Sequence, residues 1–271
     1  MPVGARIARS SAAVATEAVM TAKPKLCALD VPGMACAEPR DARVSCDRCG
    51  LVHACGMSGN GSVAFADMHK LVEDIGPFRS NDHVFKSGEP FRTLFAVKSG
   101  MVKTVQVDAE GRAQVLGFYL PGEVVGLEAV DPGVYPCDGV ALESTRLCKL
   151  PFDAVSHVAQ REPEVQQHLF RMFSHAIAQH EARSWDMGAD QRVAAFLLDL
   201  SARYALRGLS PEHFHLPMPR SDIANFLHLA AETVSRVLAR FREQGMVDII
   251  GREVHLQQPA ALRALLKDDN A

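Results

Sequence analysis

Three thiols stand within ten residues of one another at Cys46, Cys49 and Cys55, and Gly50 and Gly56 beside them let the chain wrap around a small central group. Soft sulfur ligands at this spacing suit a zinc ion or an iron-sulfur cluster. Either needs a fourth ligand, which His53 or a distant cysteine could supply. Spacing by itself favours zinc, because structural zinc sites with a two-residue cysteine gap often recruit a histidine; it does not exclude a cluster. A catalytic thiol is a weaker reading, since no oxidoreductase-like strand-then-helix pattern surrounds Cys46 and Cys49. A disulfide framework does not fit either, because the chain has seven cysteines, an odd count, four of them crowded between Cys36 and Cys55.

A second constellation lies near the C-terminus. Glu232, Ser235 and Arg236 fall at i, i+3 and i+4, so on a helix they form one exposed stripe carrying an acceptor, a hydroxyl and a guanidinium. Arginine pairs bidentately with guanine, glutamate accepts from the cytosine amino group, and serine serves several base edges. The competing reading is a helical ion pair between Glu232 and Arg236, contributing roughly a few tenths of a kcal/mol. The surrounding pattern favours base reading. Helical stretches from Ser221 to Leu227 and from Ala231 to about Gln244 are joined by only His228-Leu229-Ala230, with Ser221 available to cap the first. Ile223, Ala224, Leu227, Val234, Val237 and Leu238 supply an inward face that fixes the two helices. Met246 to Ile250 and Glu253 to Leu256 then read as a hairpin turning at Gly251-Arg252, the wing of a winged helix-turn-helix. Arg240, Arg242 and Arg252 are the candidate phosphate contacts, which fix register without reading sequence.

The elements that must position these groups follow from periodicity. With 271 residues the chain can bury two modest cores, and its formal net charge of -3 gives no bulk attraction to nucleic acid. No apolar run is long enough to span a membrane, so a cytoplasmic location is expected. Residues 1–45 read as a disordered tail rich in Ala, Pro and Gly. From His83 to about Leu150, glycines at positions 88, 100, 111, 122 and 133 separate short segments such as Leu94–Lys98, Val102–Val107 and Ala113–Tyr119, the rhythm of an antiparallel roll. Beyond Pro163, Val165, Leu169, Met172, Phe173, Ala176 and Ile177 mark an amphipathic helix up to Gly188, which packs on its own sheet or forms a dimer seam. Asp190 to about Arg207 is a further helix, stopped at Gly208.

Together these features resemble the cyclic-AMP receptor and fumarate-nitrate reduction regulator (Crp/Fnr) family, in its oxygen-sensing branch, from about Cys46 onward. The resemblance is carried by Cys46, Cys49 and Cys55, by Phe118-Tyr119-Leu120-Pro121-Gly122-Glu123, by Arg192-Val193-Ala194-Ala195-Phe196 and by Glu232-Thr233-Val234-Ser235-Arg236. It implies an α+β fold: a cysteine-rich segment and antiparallel β-roll of the cyclic-nucleotide-binding kind over 46–160, a dimerisation helix over 161–188, and a winged helix-turn-helix over 189–271. It further implies a [4Fe-4S] cluster on Cys46, Cys49, Cys55 and Cys148, a homodimer on double-stranded DNA with half-sites beginning TTGAT, and RNA polymerase as a partner. Oxygen, or nitric oxide, would dismantle the cluster and lower DNA affinity. Alternatives are a zinc-stapled or small-molecule-responsive regulator and, less well supported, an iron-sulfur enzyme, for which no acid-base cluster is evident. Cyclic nucleotide is not expected, because Gly122-Glu123 is followed by Val124-Val125-Gly126, and no arginine appears until Arg146. The chain departs from the family pattern at His228, where glycine is usual, and at Ala230 and Ala231, which remove a hydroxyl cap. Cys27, Cys36 and Cys137 match no ligand position.

Overall fold

The structure, a computed structural model, describes residues 72–181 and 187–267. The expected tail, the three clustered cysteines, His53, Cys27 and Cys36 lie outside the described residues.

Eight strands form the roll: β1 (Glu73–Phe78), β2 (His83–Phe85), β3 (Thr93–Ser99), β4 (Val102–Val107), β5 (Ala113–Tyr119), β6 (Val124–Val125), β7 (Asp138–Ala141) and β8 (Thr145–Pro151). They make two four-stranded antiparallel sheets, ordered β1-β8-β3-β6 and β2-β7-β4-β5. Phe85, Phe95, Val97, Val102 and Leu147 fill the space between them. Tyr135 joins this core, its ring stacked on Phe85 with centroids 4.1 Å apart and its hydroxyl donating to the Thr93 carbonyl at 2.6 Å. The β3–β4 turn requires glycine. Gly100 has φ +78°, and a Cβ there would lie 2.5 Å from Thr145 Oγ1.

Alternation along β8 sends Leu147 into the roll and leaves Cys148 and Leu150 on the opposite face, under two helices. These are α1 (Phe152–Arg161) and α2 (Pro163–Glu181), whose Val155 and Val165 close that side. Proline at the first position of α2 costs no helical hydrogen bond. The apolar stripe of α2 divides along its length. Val165 and Leu169 pack on the roll, whereas Phe170 and Ile177, two turns apart, are 62% and 60% exposed.

The C-terminal part contains α3 (Ala189–Ala205), β9 (His213–His215), α4 (Arg220–Leu227), α5 (Ala231–Glu243), β10 (Val247–Ile250), β11 (Glu253–Leu256) and α6 (Pro259–Leu265). Its core joins Val193, Leu197 and Leu200 of α3 to Ile223 of α4 and to Val234, Val237 and Phe241 of α5. The same core continues into the roll through Val115, Phe118 and Leu120. The wing has three strands, in the order β10-β11-β9. The sequence reading missed β9, a three-residue strand whose only paired neighbour in the sheet, β11, lies some forty residues away.

Candidate nucleic-acid interface and sensor strand

The helix-turn-helix is built as its spacing suggested, with a difference at the first cap. Ser221 does not cap α4: the helix begins one residue earlier, and Pro219, at the capping position, offers only its carbonyl to the amides of Asp222 and Ile223. Between α4 and α5, His228 takes the left-handed conformation (φ 52°, ψ 48°), and the Leu229 amide returns to the Ala224 carbonyl at 2.9 Å. This is a Schellman closure with histidine where glycine is least strained. Ala230, at the capping position of α5, makes no side-chain cap bond.

The inward face of α5, with Val234, Val237, Leu238 and Phe241 buried, holds Glu232, Ser235 and Arg236 outward and exposed. Arg236 and Glu232 are not joined as a side-chain ion pair among the described residues. The Arg236 Nε donates instead to the Glu232 backbone carbonyl at 3.4 Å, and the Ser235 hydroxyl donates to the Ala231 carbonyl at 2.9 Å. The guanidinium therefore keeps most of its donor capacity available for an incoming partner.

The three candidate phosphate contacts differ. Arg240 is paired with Asp190 of α3. Arg242 lies 3.6 Å from Asp248 of β10. Arg252 sits at the exposed wing tip beside Gly251 (φ +63°), and its carbonyl accepts from the Leu216 amide at 2.7 Å. Sequence reasoning did not find the histidines on the wing: His213 and His255 face each other across β9 and β11 with rings 3.8 Å apart, and the His215 Nδ1 lies 2.6 Å from Glu253. The alternating His-Phe-His was the available signal.

Of the four cysteines assigned by resemblance to the sensor, Cys148 alone lies among the described residues. It is half-buried and stands in register between Asp74 of β1 and Ala96 of β3. Asp74 on that face also carries Lys98 at 2.5 Å and Arg146 at 2.9 Å. Val72, directly ahead of β1, is buried in the cluster that includes Cys148. β1, the first described strand after the three thiols in sequence, is hydrogen-bonded to β8, the strand of Cys148. Among the described residues, no group of three or more His, Cys, Asp or Glu is arranged to hold a metal ion. Cys137 is a different thiol: fully buried inside the roll, it donates to Glu128 at 3.3 Å, and burial followed by the Glu128 charge pushes its pKa up.

Glu123 does not stand open as a ligand group. Its carboxylate receives Arg203 at 2.5 Å and Arg207 at 2.6 Å, both from the α3 region, and the Leu120 amide at 2.8 Å. Burial alone would raise this carboxyl, but the Arg203 and Arg207 guanidiniums outweigh it and hold the pKa below the ordinary value of 4.5.

The sequence matches the Crp-like helix-turn-helix domain over residues 191–265 and the cyclic nucleotide-binding domain over residues 76–162. It is 38% identical over 210 residues to the transcriptional activator protein anr of Pseudomonas aeruginosa, covering 75% of this chain and 86% of that protein. To the fumarate and nitrate reduction regulatory protein of Escherichia coli it is 31% identical over 229 residues, covering 82% and 90%. Among solved structures it is similar to FixK2 from Bradyrhizobium japonicum, with a TM-score of 0.64 and 27% identity over 72% of this chain and 96% of that one. It is also similar to a CRP-family transcriptional regulator from Thermus thermophilus, with a TM-score of 0.57 and 26% identity over 72% and 97%. With both halves matched and relatives of this identity spanning most of its length, the chain belongs to the Crp/Fnr family of DNA-binding transcription regulators and is not an enzyme.

Proposed function

We propose that this regulator is oxygen-responsive, with nitric oxide a second candidate signal. Cys46, Cys49, Cys55 and Cys148 would hold a [4Fe-4S] cluster whose presence favours a homodimer on a palindromic TTGAT-type site. The observation that supports this reading is the pairing of β1, the first described strand after the three thiols in sequence, with β8, which carries Cys148. Four thiolates match the ligand demand of such a cluster. The cluster, when bound, would supply the reactivity toward oxygen. The sensor half is 46–160, the seam helix 161–188 and the reading half 189–271.

The remaining steps belong to the chain. Cys148 packs on the face covered by α1 and α2, so its ligation would be felt at the base of α2. The exposed Phe170 and Ile177 of α2 are the apolar groups that a second copy would cover. Two joined reading heads engage two half-sites at once, and separating them forfeits the second head's contribution. Glu232, Ser235 and Arg236 read bases, while Arg240, Arg242 and Arg252 meet phosphates; Arg240 and Arg242 exchange their acidic partners for the DNA backbone. The bound dimer contacts RNA polymerase, as the family resemblance implies, and acts in the cytoplasm. Cyclic nucleotide is not its effector, because Glu123 is already neutralised by Arg203 and Arg207.

Iron and acid-labile sulfide analysis of protein purified without oxygen tests the reading, with Cys148→Ala as the paired variant. Wild type carries both and the variant neither. Colourless protein with stoichiometric zinc overturns it.

A further inference from the structure

We infer that Asn225, Lys103, Asp222 and Glu123 are positioning residues for DNA recognition: they dock the reading domain on the roll from behind and set the half-site separation the dimer accepts. The inference rests on the dimeric DNA-binding reading above. β5 is the edge strand of its sheet, and Asn225 of α4 completes that edge as a backbone segment would. Its Oδ1 accepts from the Val115 amide at 2.6 Å, its Nδ2 donates to the Ala113 carbonyl at 2.7 Å, and its own carbonyl accepts from Gln114 Nε2 at 3.0 Å. Next to it, Lys103 of β4 reaches Asp222 of α4 at 2.6 Å, both side chains only 16% exposed.

At the other end, two arginines grip the turn before β6. Arg203 donates to the Phe118 carbonyl as well as to Glu123, and Arg207 donates to the Pro121 carbonyl at 2.7 Å. Between these two attachments, the rings of Phe118, Phe196 and Phe226 meet at centroid separations of 5.1 to 6.1 Å. Apolar contact alone tolerates sliding. A buried carboxylate and an amide bonded through both its oxygen and its nitrogen do not, because any shifted arrangement leaves polar groups unpaired. The docking is therefore discrete. It also leaves Glu232, Ser235 and Arg236 exposed, so it does not compete with DNA for the reading face.

A dimer reads half-sites about 34 Å apart, and heads held at one angle fit one separation best. Loosened heads incur an ordering cost on binding and accept neighbouring separations. The test uses full-length protein prepared without oxygen, with Asn225→Ala, Lys103→Asp, Asp222→Lys and the double reversal Lys103→Asp/Asp222→Lys. Affinity is measured on palindromes with the central spacing changed by one and two base pairs, and on a single half-site. Each single variant weakens binding to the best-spaced palindrome on the order of tenfold and flattens the spacing profile. Half-site affinity, dimer mass and iron content stay at wild-type values, and the double reversal restores the profile. An unchanged spacing profile, an equal loss on the single half-site, or no recovery in the double variant overturns the positioning role. Wild type that binds a palindrome no better than a half-site overturns the dimeric reading as well, which separates the two failures.

Discussion

Replacing Arg236 with alanine removes a side chain that does nothing for the fold. Its guanidinium is exposed and its Nε makes only a long 3.4 Å hydrogen bond to the Glu232 carbonyl, while alanine is the better helix former. Stability should stay within about 0.5 kcal/mol of wild type. On DNA the effect is large. A bidentate arginine–guanine pair discriminates by roughly 1–3 kcal/mol, and a dimer presents two copies, so the palindrome loses roughly 2–6 kcal/mol, at least about 30-fold in affinity. The loss is specific to one base pair in each half-site: changing that pair costs wild type heavily and costs the variant almost nothing. Arg252→Ala is the control, because taking a phosphate-binding cation off the wing tip weakens all sequences alike and lowers the salt slope by about 0.9 per copy. Fluorescence anisotropy titrations on a set of single-base-pair variants, at several salt concentrations, read both effects. If Arg236→Ala weakens every sequence equally and keeps the wild-type preference, base reading by α5 through this residue is wrong.

Three further outcomes follow from the same structure. Glu123→Gln removes the buried carboxylate shared by Arg203 and Arg207, leaving Arg203, a side chain only 9% exposed, with the half-exposed Asp199 at 3.1 Å, and should cost about 3 kcal/mol in chemical denaturation. Because the folded pKa of Glu123 is depressed, its stabilisation is fully present above the ordinary value of 4.5 and is lost as pH falls through the lowered one. Wild-type stability should therefore drop more steeply than that of Glu123→Gln below that value, and parallel acid profiles would contradict the pairing. Phe170→Glu changes a side chain that is 62% exposed, so the protomer should fold normally. Deleting apolar burial of roughly 1.5–3 kcal/mol from each copy should weaken the dimer about 100-fold or more, read by sedimentation; an unchanged mass places the seam elsewhere. Gly100→Ala forces a Cβ to within 2.6 Å of the Ser144 carbonyl at φ +78° and should cost at least about 2 kcal/mol in thermal unfolding.

The helices that carry the candidate reading residues were legible because their information is local. Ile223, Ala224, Val234, Val237 and Leu238 recur at helical spacing on either side of a three-residue gap, and the wing strands flank Gly251. Local reading failed where partners are distant. β9 is three residues long and pairs with β11, and Ser221 looked like a cap because serine so often is one, whereas Pro219 already fixes the start of α4. Asn225 looks like an ordinary polar residue on a helix face; its bonds to Ala113 and Val115 span more than a hundred residues of chain. Glu123 and Arg203 are separated by 80 positions, and nothing in either neighbourhood names the other. Cys148 shows the same limit. Resemblance singled it out, and nothing in its sequence neighbourhood shows that its strand pairs with β1, the first described strand after the three thiols.

Exposure to air is the most direct test of oxygen control through four thiolates. Prepared without oxygen, the protein should contain about four iron and four sulfide per chain. It should also sediment as a dimer and bind a TTGAT palindrome much more tightly than a single half-site. After exposure to air, iron and sulfide should be lost together with the dimer and the advantage of the palindrome. Protein whose dimer mass and palindrome affinity are the same before and after air, or which holds no iron at the outset, would contradict oxygen control of this regulator.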